Sequence, residues 1–492
     1  MNLKALAKDT AIYGLSSIVG RFLNYLLVPL YTYKIAAESG GYGIVTNLYA
    51  YSALLLALLT FGMETTFFRF AGKEGQDDKM VYSSALRMVG GVALVFVALV
   101  LLFLRPIAGV MGYAGHPEYI GCFALIAALD AFQAIMFSRL RQQHRPVKFM
   151  ALKMSFIVVN IAMNLFIFLV MPRFDSLAAV YARFNGGVGL IFFANLACTA
   201  LVTLGFIPEI RGIFYGFDRK LCREMLAYSW PLLLLSLVGI LNQVADKILF
   251  PYLMPGAEGQ VQLGIYGACV KIAMIVALLT QAFRYAYEPL VFNGSRDKNS
   301  PETLSEGMRF FVDFALLAWL AVLFYLPILR YLTGTGDYWA GLRVVPVVMM
   351  AEIFMGIYFN LSFWYKLTDK TWWGAIISAV GAAVMIGINV AFVPRFGYMA
   401  CAWGGFAGYG VAMLMSWALG QKHAPVAYNM KSFLLAFVLA LVLYGASLLI
   451  QRAMGLDNTS PLGGRMILYL VINTALLAVY GLFLLKEVRT RK

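Results

Sequence analysis

The strongest constraint in this chain is a succession of fourteen long apolar runs separated by charged or Gly/Pro breaks. They lie near 10–33, 43–68, 84–104, 119–138, 150–171, 187–208, 226–252, 264–290, 310–329, 341–365, 373–393, 398–420, 432–450 and 466–485. A bilayer core of about 30 Å is crossed by about 20 apolar residues in helical form, so each run is long enough to span. The runs are continuous, as in Gly90–Leu104, GGVALVFVALVLLFL. They lack the in-out alternation of lipid-facing strands, which excludes a β-barrel. Only 13% of the 492 residues are charged and 62% are hydrophobic, too little polar surface to solvate so long a chain in water. The sequence predicts an all-α integral membrane protein with 14 transmembrane helices, here called spans one to fourteen.

The cations set the orientation. Lys and Arg number 39 against 24 acidic residues, a balance of +15. With both termini on one side, that side receives 26 cations, the opposite side nine, and four fall inside spans. The positive-inside asymmetry places both termini in the cytoplasm. A nucleic-acid partner is excluded, because the charge is spread over short loops and not gathered in one soluble block. Cys122, Cys198, Cys222, Cys269 and Cys401 form no C-x-x-C pair, and His116, His144 and His423 are scattered in loops, so no metal site is expected. The N-terminal run carries Arg21 and no small-residue cleavage site. It reads as a retained first helix and not a signal peptide.

An internal repeat orders the spans. Met171–Phe174 (MPRF) closes span five and Val393–Phe396 (VPRF) closes span eleven, an offset of 222. Ala57–Thr60 and Ala277–Thr280 are both ALLT, Leu104-Arg105 matches Leu329-Arg330, and Arg139-Leu140 matches Lys366-Leu367. Their common order points to two six-span lobes of one orientation, related by a pseudo-two-fold axis along the membrane normal. The expected division is an N-terminal lobe at 1–210, a cytoplasmic linker at 211–222, a C-terminal lobe at 223–421 and two additional helices with a tail at 422–492.

Ionisable residues at bilayer depth cost at least about 2.5 to 3.5 kcal/mol on insertion scales and are functional candidates by default. Arg21 lies about eleven residues into span one. Lys271 lies about seven residues into span eight, roughly 10 Å deep. Two readings stand for both cations: an interhelical pair or snorkelling stem, and the lining of a hydrated cavity. Asp246 and Lys247 are adjacent in span seven, so they are expected to point in different directions without neutralising each other. Arg284 and Glu288 are four apart and can pair near the inner end of span eight, where Arg284 either snorkels or meets an anion at the inner mouth. Asp130 and Glu352 occupy the middle of spans four and ten, as structural partners of the cations or as proton or sodium sites. Glu64 aligns with Arg284 through the shared ALLT, which predicts opposite charges at the inner ends of the two lobes. Asp77-Asp78 reads as a solvated loop pair.

No HExxH, G-x-S-x-G or P-loop is present, so neither hydrolytic chemistry nor nucleotide binding is indicated. No cofactor is expected, and any drive comes from an ion gradient or the membrane potential, with H+ or Na+ as the coupling ion. Asn185–Gly189 and Gly404-Gly405 are read as close helix packing.

The pattern resembles the multidrug/oligosaccharidyl-lipid/polysaccharide exporter superfamily, and within it the Wzx-type oligosaccharide flippases. The resemblance rests on the fourteen spans and the six-plus-six repeat, with Arg21 in span one. It also rests on Tyr228–Pro231 through Asp246-Lys247, Gly264–Gly267 with Lys271-Ile272, Glu288-Pro289, Asn360–Thr371 and Pro394–Tyr398. It implies a multi-pass protein of the bacterial inner membrane, a flippase and not an enzyme. Its substrate would be an undecaprenyl-pyrophosphate-linked glycan for O-antigen lipopolysaccharide, capsule or exopolysaccharide. Arg21, Lys271, Arg284 and Lys247 would bind the diphosphate, and Asp130, Glu352, Asp246, Glu64 and Glu288 would couple ions or gate. Membrane lipid, a polysaccharide polymerase and glycosyltransferases are the implied partners. A lipid II flippase and a multidrug or cation antiporter of the same fold are the alternatives, and a membrane-embedded polysaccharide polymerase is a further, weaker one.

Overall fold

The computed structural model of the chain describes residue 23 and residues 25–294, 300–368 and 370–489. Every regular element among them is helical. Thirteen helices are long and apolar enough to cross a membrane. In order they are Gly41–Ala71, Asp78–Leu102, Pro117–Gln142, Pro146–Arg173, Val188–Gly205, Arg219–Leu253, Ala257–Glu288, Pro301–Phe324, Gly336–Leu367, Trp372–Phe396, Tyr398–His423, Met430–Ala453 and Gly464–Glu487. These are spans two to fourteen, each overlapping its apolar run. Most of span one, including Arg21, lies outside the described residues; its last part, Leu27–Lys34, is helical.

Local chemistry sets where helices begin. The Asp77 carboxylate accepts from the Lys79 amide at 2.9 Å and caps span three. Asp218 caps span seven by accepting from the amides of Lys220 and Leu221 at 2.8 and 3.2 Å. Each cap satisfies amide donors that have no intrahelical partner. Pro117 and Pro146 open spans four and five, where a missing N–H costs nothing and the fixed φ suits the first turn.

The chain forms two compact units, one built on Ser39–Gln260 and the other on Val261–Lys492. In the first, span seven packs beside span two, so the packing boundary falls after span seven. Span two is broken at Phe61 and Gly62, with φ of 37° and 74°. A Cβ on Gly62 would stand 3.1 Å from both Leu232 Cβ and the Ser229 carbonyl oxygen of span seven. The break therefore needs glycine for its dihedral and for its clearance. An aromatic cluster including Phe67, Tyr82, Phe137 and Phe206 fills the bundle. The connection to span seven is tied back to span three: Ser83 Oγ donates to the carbonyls of Ile213 and Gly216 at 2.9 and 2.6 Å, and Arg87 Nε donates to Ile213 at 2.7 Å.

In the second unit, spans eleven and twelve approach most closely at glycine. A Cβ on Gly381 would meet the Gly408 carbonyl at 2.9 Å, and one on Gly408 would meet that of Gly381 at 2.7 Å. Without a hydrophobic drive between helices in lipid, such close backbone packing is what holds them together. Gly404 belongs to this seam, while Gly405 faces open space. Two basic residues fasten the C-terminal pair of helices. Arg309, buried in span nine, contacts Asp313 at 3.3 Å and Glu487 of span fourteen at 2.5 Å. Arg330, fully buried, donates to the carbonyls of Asn458 and Ser460, the latter at 2.6 Å, and lies 4.2 Å from the Trp339 ring centre.

Candidate functional site

In the first unit the charged candidates gather around spans two, four and five. Glu64 follows the break in span two, in the first turn of the helical segment Met63–Ala71. Its carboxylate accepts from Arg141 at 3.1 Å and from the Ser138 hydroxyl at 3.4 Å. The Arg141 guanidinium lies 5.1 Å from the Phe68 ring centre. Lys153 stands seven residues after Pro146, two turns inside span five, with Nζ 4.1 Å from the Phe137 ring centre. It is in electrostatic reach of Asp130, Glu64 and Arg141. Asp130 is near the middle of Pro117–Gln142, facing Lys153 and Thr199 and the Tyr49 hydroxyl.

Sequence position alone counts Lys153 among the loop cations. Its apolar run begins near 150, but the helix begins at Pro146, which carries the ammonium a turn deeper. Asp78 opens span three and keeps 40% of its side-chain surface exposed, as expected of a solvated residue, while also accepting from Arg139 at 2.8 Å.

Asp246 and Lys247 neutralise each other, against the expectation from their adjacent positions. Lys247 Nζ reaches both carboxylate oxygens of Asp246 at 3.0 Å and the Gln243 carbonyl at 3.3 Å. Angular spacing on the helix fixes Cβ directions, but the four-carbon lysine stem folds back along the helix and brings the ammonium to its neighbour. The Lys247 carbonyl in turn accepts from Asn47 of span two at 2.8 Å, and Asn47 accepts from the Tyr113 hydroxyl at 2.7 Å.

In the second unit Arg284 and Glu288 pair at 3.4 Å, as their spacing allows. Lys366 of span ten joins Glu288 at 3.3 Å, and Arg284 lies 4.1 Å from the Phe359 ring centre. The two units thus repeat one arrangement, an acid on the second span of the six joined to a cation at the end of the fourth: Glu64 with Arg141, Glu288 with Lys366. Offsets of 224 and 225 match the sequence repeat. Glu64 therefore corresponds to Glu288, and not to Arg284 as the ALLT alignment implied.

Lys271 stands farther along its helix than its apolar run suggests. The helix begins at Ala257, fourteen residues earlier, which is roughly 21 Å at 1.5 Å per residue. Its side chain is half-buried, as are those of Glu352 and Asp130. Chemically, the first unit holds the half-buried Asp130 carboxylate in electrostatic reach of the exposed Lys153 ammonium, and the second holds Lys271 and Glu352 on spans eight and ten.

Residues 6–294 match the family described as polysaccharide biosynthesis protein. No curated protein matches the sequence. Among solved structures, the chain is similar to the lipid II flippase MurJ in an inward closed conformation. The TM-score is 0.73 at 14% identity, covering 97% of this chain and 99% of that one. It is similar to an inward-facing multidrug resistance MATE family transporter of the MOP superfamily, with TM-score 0.63, 14% identity and coverage of 84% and 94%. The MATE multidrug transporter DinF-BH gives 0.58 and 16%, with coverage of 87% and 97%. At these identities the likeness establishes the fold.

Proposed function

The chain belongs to the polysaccharide biosynthesis protein family of the multidrug/oligosaccharidyl-lipid/polysaccharide superfamily, and from that premise we propose that it flips a lipid-linked oligosaccharide across the bacterial inner membrane. The cargo in this reading is an undecaprenyl-pyrophosphate-linked repeat unit for O-antigen, capsule or exopolysaccharide, made by glycosyltransferases and passed to a polymerase. Both termini face the cytoplasm. The observation that carries the reading is Lys271, half-buried about 21 Å into span eight of a chain in this family.

A diphosphate cannot cross hydrocarbon alone, whereas an ammonium or guanidinium within the bundle offers charge-assisted hydrogen bonds to its oxygens. In this reading Lys271 serves this role, Arg21 is assigned it from the sequence alone, and Arg284 meets the anion at the cytoplasmic entrance. Lys247, held by Asp246, contributes least to binding while that pair is closed. An anion leaving an inside-negative cell gains about 2.3 kcal/mol per charge per 100 mV, so two charges gain roughly 4 to 5 kcal/mol. H+ or Na+ is the coupling ion where this is insufficient.

The test is a proteoliposome assay that follows outward movement of a fluorescent undecaprenyl-pyrophosphate oligosaccharide. The wild type is expected to move it, K271Q to lose at least tenfold in rate, and K271R to retain most of it. Equal rates for wild type and K271Q would overturn the assignment. Lipid II is the competing cargo, suggested by the name of the similar MurJ structure. Preferential movement of lipid II over the oligosaccharide in the same vesicles would select it.

A further inference from the structure

Asp130 is thirteen residues from Pro117 and twelve from Gln142, so it sits roughly 18 to 20 Å from either end of its helix. Among the described residues no cation comes within 4.0 Å of its carboxylate. The polar groups around it are otherwise mutually satisfied. Gln133 donates to the Thr199 carbonyl and the Thr203 hydroxyl, both at 2.8 Å. Asn195 donates to the Tyr49 hydroxyl at 2.7 Å and accepts from the Thr199 hydroxyl at 3.4 Å. Among the described residues, the Asp130 carboxylate thus stands in a hydrogen-bonded polar lining near the middle of its helix, where charge is expensive to hold.

The nearest compensation is Lys153, whose ammonium rests over Phe137 and is shared electrostatically with Glu64 and Arg141 as well as Asp130. Glu64 and Arg141 have 39% and 38% of their side-chain surface exposed, so this end of the group meets water. Lysine's long stem allows the ammonium two positions, one toward Asp130 and one toward Glu64.

We propose that Asp130 is a proton-binding site inside the first unit, with Lys153 as its movable counter-charge. With the ammonium near, Asp130 stays a carboxylate. When the ammonium swings toward Glu64, the carboxylate takes one proton from water at the Glu64 end and becomes a neutral carboxylic acid. Release returns the carboxylate and one proton, and Lys153 remains an ammonium throughout. Among the described residues the groups in reach of Asp130 are Lys153 from span five, Thr199 from span six and Tyr49 from span two, while Glu64 and Arg141 are in reach of Lys153. The purpose of the site rests on the flippase reading; its proton chemistry does not.

The experiment uses the full chain in phosphatidylethanolamine/phosphatidylglycerol vesicles. Infrared difference spectra across a pH series read the carbonyl stretch of a protonated carboxylic acid without any cargo. The wild type is expected to show a titrating band that D130N lacks, D130E moves in frequency, and K153M shifts in titration. Thermal unfolding identifies a misfolded D130N, in which case D130E decides. A band unchanged in both variants overturns the proposal, and so does a band that responds to sodium at fixed pH but not to pH. In a second measurement, an imposed pH gradient should speed oligosaccharide flipping tenfold or more in the wild type and not in D130N. If the band behaves as expected while no oligosaccharide moves, the cargo reading fails and the proton site stands. If flipping proceeds with no response to the gradient or to D130N, the coupling role fails and the cargo reading stands.

Discussion

Arg141 of span four holds Glu64 of span two at 3.1 Å, and the second unit repeats the relationship with Lys366 and Glu288 at 3.3 Å. Each pair fixes the second span of a six-span set to the fourth at one end. Because both side chains of Glu64–Arg141 are more than a third exposed, water screens the pair and its worth is modest. A double-mutant cycle of E64Q and R141Q, read by thermal unfolding in detergent, should return a coupling of about 0.2 to 1 kcal/mol. A coupling near zero would mean the pair positions helices without stabilising them.

Arg330 behaves differently because it is fully buried and its guanidinium serves two backbone carbonyls. R330M strands the carbonyls of Asn458 and Ser460, at about 1 to 3 kcal/mol each. R330K keeps one of them and should fall between. Limited proteolysis should show cleavage in the 454–463 connection first, before the spans are attacked; protection equal to wild type would refute the clamp.

Asp457 supplies a pH dependence in the same connection. Hydrogen bonds from the Thr459 hydroxyl at 2.7 Å and the Ser460 hydroxyl at 2.8 Å hold its carboxyl below the usual carboxylate range. A carboxyl lowered on folding contributes stability above its unfolded value, and that contribution is lost as pH falls through the folded value. Amide exchange of residues 457–460 should therefore accelerate as pH falls below the usual carboxylate value of about 4. In D457N the exchange should be fast throughout, once the intrinsic pH effect on exchange is removed.

The seam between spans eleven and twelve makes a steric prediction. Gly408→Ala places a methyl 2.7 Å from the Gly381 carbonyl oxygen, so the helices must part, at about 1 to 3 kcal/mol. Gly405→Ala, whose methyl meets nothing, should leave the melting temperature unchanged or slightly raised. Equal melting behaviour of the two variants would contradict this packing.

How much of this is legible in the sequence follows from the range of the physics involved. Spans two to fourteen are readable because lipid demands unbroken apolar runs, a local property. The positions of Lys271 and Lys153 along their helices are misjudged because helices continue beyond those runs: Ala257–Gln262 and Pro146–Phe149 are helical turns whose composition also suits a loop. The Asp246–Lys247 contact depends on a flexible stem, which helical spacing does not describe. The Arg330 clamp joins residues 128 and 130 positions apart, and no periodicity reports such a partner. The Glu64–Glu288 correspondence is present in the repeat but is hidden when the alignment is anchored on ALLT.

The interruption of span two at Phe61-Gly62 has a mechanical meaning. An unbroken helix transmits tilt along its whole length, whereas here compliance is concentrated in the torsions of two residues. The segment beyond them, which carries Glu64, abuts the Ser229 carbonyl at Gly62 with no room for a side chain. Span seven also holds Gly41–Thr60, through the Asn47 amide on the Lys247 carbonyl, so strain entering through span seven reaches both sides of the break and is taken up as a turn of one segment against the other.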